Sequence, residues 1–119
     1  MISISGIFSA PIKSFALIPH DEVYVGYKGI TSDRRFYVVD SDGKLLTQRH
    51  CSRLALIKCG FLESENELSI SFPDGALVNA EPVLGRKVGT KLWGRRFNGH
   101  IVDGDWNHAI SEFCGFNVK

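Results

Sequence analysis

The 119-residue chain is 44% hydrophobic and 23% charged, which fits one ordinary globular domain and excludes a disordered segment. A formal net charge of +1 excludes a strongly basic nucleic-acid binder, but the charge is uneven. Lys28 to Arg53 holds six Lys or Arg against three Asp, whereas Glu63 to Glu81 holds five acids and no base.

Taken in order, most of the chain predicts short strands. "ISISGIF" (2–8) alternates up to a break at Gly6, and "EVYVGY" (22–27) sets Val23 and Val25 on one face. "RRFYVVD" (34–40) and "KLLTQR" (44–49) flank "SDG", a hairpin signal because Asp-Gly accepts positive φ. "RLALIKCGF" (53–61), "ELSISF" (67–72) and "ALVNA" (76–80) follow, the last two joined by "PDG". "RKVGTKLWG" (86–94) and "RFNGHIV" (96–102) complete the strands. The fold expected is mainly β: a small antiparallel β-barrel of short strands with one C-terminal helix, as a single domain over 1–119. That helix is read from Trp106, Ala109, Ile110, Phe113 and Cys114, spaced i, i+3, i+4, i+7 and i+8. Asp103 or Asp105 can cap its start and Gly115 its end, and it is expected to lie across the open end of the barrel. The closing "FNVK" reads as the start of a further strand, which predicts a longer parent protein.

The longest apolar runs, such as "FALI" and "FYVV", are four residues. That is far below the roughly 20 residues of a membrane span, and no signal-peptide core opens the chain. Cys51, Cys59 and Cys114 are odd in number and lack CxxC spacing, so they predict neither a disulfide framework nor a zinc site. A cytoplasmic location is the expectation.

Two stretches carry chemistry suited to an anion. In "APIKSF" (10–15), Lys13 and Ser14 offer an ammonium, a hydroxyl and successive backbone N–H groups. In "SDRRF", arginine's planar fork matches phosphate or carboxylate, and Asp33 could hold one guanidinium. Adjacent strand residues face opposite ways, so one of Arg34 and Arg35 serves a ligand and the other a surface carboxylate. Counted back from "SDG", Arg35 falls opposite Arg49, with Gln48 beside it, and an anion between the two arginines would relieve their repulsion. His50 and Cys51 are adjacent, the wrong spacing for chelation, and His20, His100 and His108 have no partner pattern. "RKVGTKLWGRR" (86–96) has five basic residues and a Trp, but no stacking series, so nucleic acid is not expected as a partner. The chain by itself contains no complete catalytic set.

These stretches together, "IFSAPIKSF", "GITSDRRFYVVDSDGKLLTQRHCSRLALI", "KLWG" and "DGDWNHAISEFCGFNVK", resemble the N-terminal β-barrel domain that precedes MOSC domains. The group includes the mitochondrial amidoxime-reducing component, the C-terminal part of molybdenum cofactor sulfurase, and bacterial relatives with a ferredoxin domain. The resemblance implies an accessory barrel of a molybdenum-cofactor oxidoreductase, helping to bind the pterin and phosphate of the cofactor (molybdopterin) and to shape the substrate site. It implies cofactor contacts from Lys13, Ser14, Arg34 or Arg35, Gln48 and Arg49. Ser32 stands where members commonly have glycine. The family's metal-ligating cysteine lies in the MOSC domain and matches none of Cys51, Cys59 and Cys114, so the isolated chain is expected to be non-catalytic and to hold no cofactor tightly. The implied partners are a MOSC catalytic domain, in cis or in trans, and a ferredoxin-type electron donor. The alternative class is a stand-alone module that binds a small anion or another protein.

Overall fold

The computed structural model describes residues 2–92 and 94–119, so Trp93 of "KLWG" lies outside the described residues. Strands β1 (Ile7–Ser9) and β2 (Ile18–His20) pair antiparallel, with Ile7 opposite His20. Ser9 Oγ and His20 Nε2 lie 2.6 Å apart across this pair. Strands β3 (Val25–Gly26) and β4 (Gly29–Ile30) form a tight antiparallel hairpin. Strands β5 (Val38–Val39) and β6 (Leu45–Leu46) flank the "SDG" turn. There Asp40 Oδ1 accepts the N–H groups of Asp42 and Lys44, both at 2.9 Å, and Gly43 supplies φ 81°. Strands β7 (Lys58–Leu62), β8 (Glu67–Ser71) and β9 (Leu77–Ala80) make a three-stranded meander. Its second turn is the expected "PDG", closed by Gly75 N–H on the Phe72 carbonyl at 2.9 Å. The long hairpin of β10 (Val83–Leu92) and β11 (Arg95–Asp103) follows, with a register irregularity between Leu84 and Lys87. Helix α1 (Trp106–Cys114) ends at Gly115, which takes the left-handed φ of 82° that ends many helices.

The protein is mainly β with one C-terminal helix, but among the described residues no closed barrel forms. Five separate antiparallel sheets stand in its place. The reason is local. The segment 34–40 pairs with 44–49 only at Val38–Val39, and Arg34 at its start takes φ 52° and leaves the extended region. The segment 44–49 pairs only at Leu45–Leu46, because Thr47 begins a turn in which its carbonyl accepts the His50 and Cys51 N–H groups at 3.0 and 3.1 Å. Residues 53–56, expected as strand, lie in a 3-10 turn over Ser52–Leu56 that buries Leu54 and leaves Leu56 exposed.

Helix α1 accordingly caps no barrel mouth. It seats Trp106 and Ile110 in the core and packs on the 3-10 turn, with the Phe113 ring 5.2 Å from Phe72 and 4.3 Å below the Arg53 guanidinium. The terminal "FNVK" makes an isolated bridge and not a strand. Val118 bridges Asp40, and Val39 and Lys119 exchange two backbone hydrogen bonds at 2.8 Å.

Phe15, Leu54, Ile57 and Ile70 are the fully enclosed centre of the core. Cys59 joins them, and burial pushes its thiol from 9.0 up to about 11, partly opposed by a backbone hydrogen bond from Ile12. The unfolded chain therefore gives up this proton at lower pH than the folded one. The stability owed to Cys59 is intact below pH about 9 and is lost as pH rises towards about 11. We expect urea titrations to show a fall of about 2–3 kcal/mol across that window that Cys59→Val lacks.

Candidate functional site

The site begins with two segments laid side by side. Residues 10–15 and 33–36 run parallel through a bridge between Ile12 and Phe36. Lys13 N–H donates to the Phe36 carbonyl and Phe36 N–H to the Pro11 carbonyl, both at 2.9 Å. Ala10 is held at both backbone groups. Its N–H donates to Asp33 Oδ1 at 2.8 Å, and its carbonyl accepts Arg34 N–H at 2.7 Å. Asp33, expected to grip a guanidinium, instead fixes this backbone.

Ser14 and Arg34 both sit in the left-handed region, at φ 72° and 52°. For residues with a Cβ this costs about 1–3 kcal/mol each, and such strain gathers where a site requires it. The Gln48 side chain ties the Ser14 peptide in place, its Nε2 donating to the Ser14 carbonyl at 2.9 Å.

These constraints produce an open cavity of about 460 Å³. Lys13, Ser14, Arg34, Gln48, Arg49 and His50 line it, over an apolar floor that includes Phe15, Leu17 and Leu45. Three cationic side chains face the cavity and no carboxylate does. Among the described residues none of the three has an ion-pair partner. Such a wall attracts anions, and the Ser14 hydroxyl adds a neutral donor.

Five of the six residues singled out from the sequence meet here. Arg35 does not. It projects to the other side of the segment, with Nη1 2.6 Å from Glu63 Oε1 and its guanidinium 5.1 Å from the Phe61 ring centre. The register of β5 and β6 would set Arg35 opposite Arg49 if it continued, but pairing stops at Val38 and Leu46. The expected facing pair of arginines is therefore absent, and Arg34 takes that place in the cavity.

His50 is the residue the sequence did not point to. Its Nδ1 accepts the Thr47 N–H at 3.2 Å and lies 3.3 Å from Thr47 Oγ1, which in turn accepts Arg49 N–H at 3.3 Å. With Nδ1 accepting, the neutral ring carries its proton on Nε2, a further donor on this wall. A Thr three residues before a His in a turn was the available signal.

Among the described residues no group of three His, Cys, Asp or Glu could hold a metal ion, and no cysteine lines the cavity. Cys114 lies half-buried beside the Cys51 thiol. Burial and then that neighbour raise its proton affinity, with Arg53 opposing, so it stays a thiol near neutrality. His20 is bonded to Ser9, and His108 pairs with Glu112 at 3.1 Å on an exposed helix face. Among the described residues, the basic stretch 86–96 lies on β10 and β11 and lines no part of this cavity.

Two carboxylates should respond differently to removal. Asp33→Ala leaves the N–H of buried Ala10 unpaired and should lower unfolding free energy by about 1–3 kcal/mol. Glu63→Ala breaks an exposed pair and should cost less than about 1 kcal/mol, both read by urea denaturation.

No curated protein is significantly similar to the chain. A similar solved structure is the solution structure of a protein of Bordetella bronchiseptica, with a TM-score of 0.52 and 17% identity. The match covers 84% of this chain and 86% of that one, and it supports a shared fold. The model of the MOSC N-terminal beta barrel domain matches residues 1–116, essentially the whole sequence, and the chain belongs to that family.

Proposed function

We propose that this chain is the accessory N-terminal domain of a molybdenum-cofactor protein, and that its cavity of cations binds the cofactor's phosphate and orients its pterin. Family membership links the chain to proteins of the molybdenum cofactor sulfurase type. The observation that carries the proposal is the convergence of Lys13, Ser14, Arg34 and Arg49 on one cavity without an opposing carboxylate.

The donor set suits one part of the cofactor only. Ammonium, guanidinium and hydroxyl groups match a phosphate, whereas no thiol is presented to a metal. The cofactor's metal supplies redox chemistry when bound, and its protein ligand comes from a MOSC domain, in cis or in trans. The roles within this chain divide by geometry. Lys13 and Arg49 supply charge, and Arg34 adds a fork able to grip two phosphate oxygens. Ser14 supplies a hydroxyl, and Gln48 keeps the strained Ser14 peptide in position. Arg35, held by Glu63, braces the adjoining wall. A reducing cytoplasm agrees with three free cysteines, and a ferredoxin-type donor belongs to the same proposal.

Pyrophosphate titrated into the chain should give saturable amide shifts at Lys13, Ser14 and Arg34 that weaken as salt is added. Arg34→Ala should weaken binding about tenfold or more, the cost of one charge-assisted contact, while Arg35→Ala should change it less than about twofold. Expressed together with its MOSC domain, the Arg34→Ala protein should retain less molybdopterin. Equal affinity of wild type and Arg34→Ala for pyrophosphate, or undiminished cofactor content, would overturn the reading.

A further inference from the structure

The segment that presents Lys13, Ser14 and Arg34 to one cavity lines a second, of about 320 Å³, with Ile12, Arg35 and Phe36. This second cavity lies between the core and the β10–β11 hairpin, and its volume is that of a small-molecule site. Its walls are mostly apolar, with Val38, Leu68, Val88 and Ile110 among them.

The charge of this cavity is one-sided. Arg35, His100 and Lys119 line it, and no Asp or Glu does. Three of its polar side chains are already engaged. Glu63 answers Arg35, the Tyr37 hydroxyl donates to Thr90 Oγ1 at 3.2 Å, and Asn107 Nδ2 donates to the Val102 carbonyl at 3.2 Å. His100 and Lys119 have no ion-pair partner among the described residues. Both are exposed, which puts them at the rim and not in the interior. Val102 follows His100 by two residues, so the two leave the same side of β11, and Val102 packs on the core. Lys119 is held in place by the two backbone hydrogen bonds of 2.8 Å that it exchanges with Val39. An apolar interior under a rim of cations matches a molecule with a hydrocarbon body and an anionic head.

We propose that this cavity binds a medium-chain carboxylate, with the head group on His100 and Lys119 and the hydrocarbon enclosed by the apolar walls. The site is separate from the cation cavity and stands whether or not that cavity binds a cofactor.

Octanoate is the probe. Titrated into the isotope-labelled chain, it should move the His100 ring and the Val38, Val88 and Ile110 methyl resonances saturably with one midpoint. Octan-2-one carries a similar hydrocarbon without the charge and should bind about five- to tenfold more weakly. Replacing both rim residues, His100→Ala with Lys119→Ala, should weaken octanoate by a similar factor and leave octan-2-one unchanged. Val88→Trp should fill the cavity and abolish octanoate binding there while leaving the pyrophosphate titration unchanged. Absence of a saturable shift in the wild type would identify a packing void only and overturn the proposal. So would octan-2-one binding as tightly as octanoate, or equal octanoate affinity of the wild type and the double variant. Octanoate shifts confined to Ser14 and Arg34 would place the carboxylate in the cation cavity and overturn it as well.

Discussion

The parallel seam between residues 10–15 and 33–36 organises everything around it. It is short, and it is fixed at its start by Asp33 and Arg34 on the two backbone groups of Ala10. From there it continues through the Ile12–Phe36 bridge. The seam separates two environments: Ile12 and Lys13 line different cavities, and the left-handed turns at Ser14 and Arg34 set those residues on the Lys13 side. Lys13, Ser14 and Arg34 face a polar cavity, while Ile12 and Phe36 face an apolar one.

Charge follows the same partition. On the polar side, Lys13, Arg34 and Arg49 stand without carboxylates, a repulsive arrangement that an anion would relieve. On the other side the acidic stretch after Glu63 supplies the partner for Arg35. The local excess of base between Lys28 and Arg53 and of acid beyond it is thus divided across one wall, although the net charge is only +1. The backbone strain at Ser14 and Arg34 has the same origin. Both residues leave the extended path so that a short segment can turn its polar groups together, and the Gln48 amide and the Ala10 carbonyl hold them there.

The core explains why this strained wall persists. Phe15 follows Ser14 directly and is 1% exposed, and Ala16 N–H bonds the Ile57 carbonyl at 2.9 Å, so the segment is anchored immediately after its bend. Ile57 in turn ends the 3-10 turn against which α1 packs. Burial on one side of each residue supports the exposed chemistry on the other.

Elements with local signals were legible in the amino-acid order alone. The Asp-Gly turns, the strands 67–71 and 77–80, the long hairpin and the helix with its Gly115 exit all depend on contacts between near neighbours. So was the expectation that the two adjacent arginines would part to opposite sides. That Arg34 is the one lining the cation cavity was settled by tertiary contacts. The outcome rests on a left-handed backbone angle at Arg34, on Glu63 arriving from a distant turn, and on the early end of the β5–β6 pairing. The same holds for the open arrangement of sheets and for His50. Each depends on how the backbone settles once the whole chain is packed, which no local periodicity encodes.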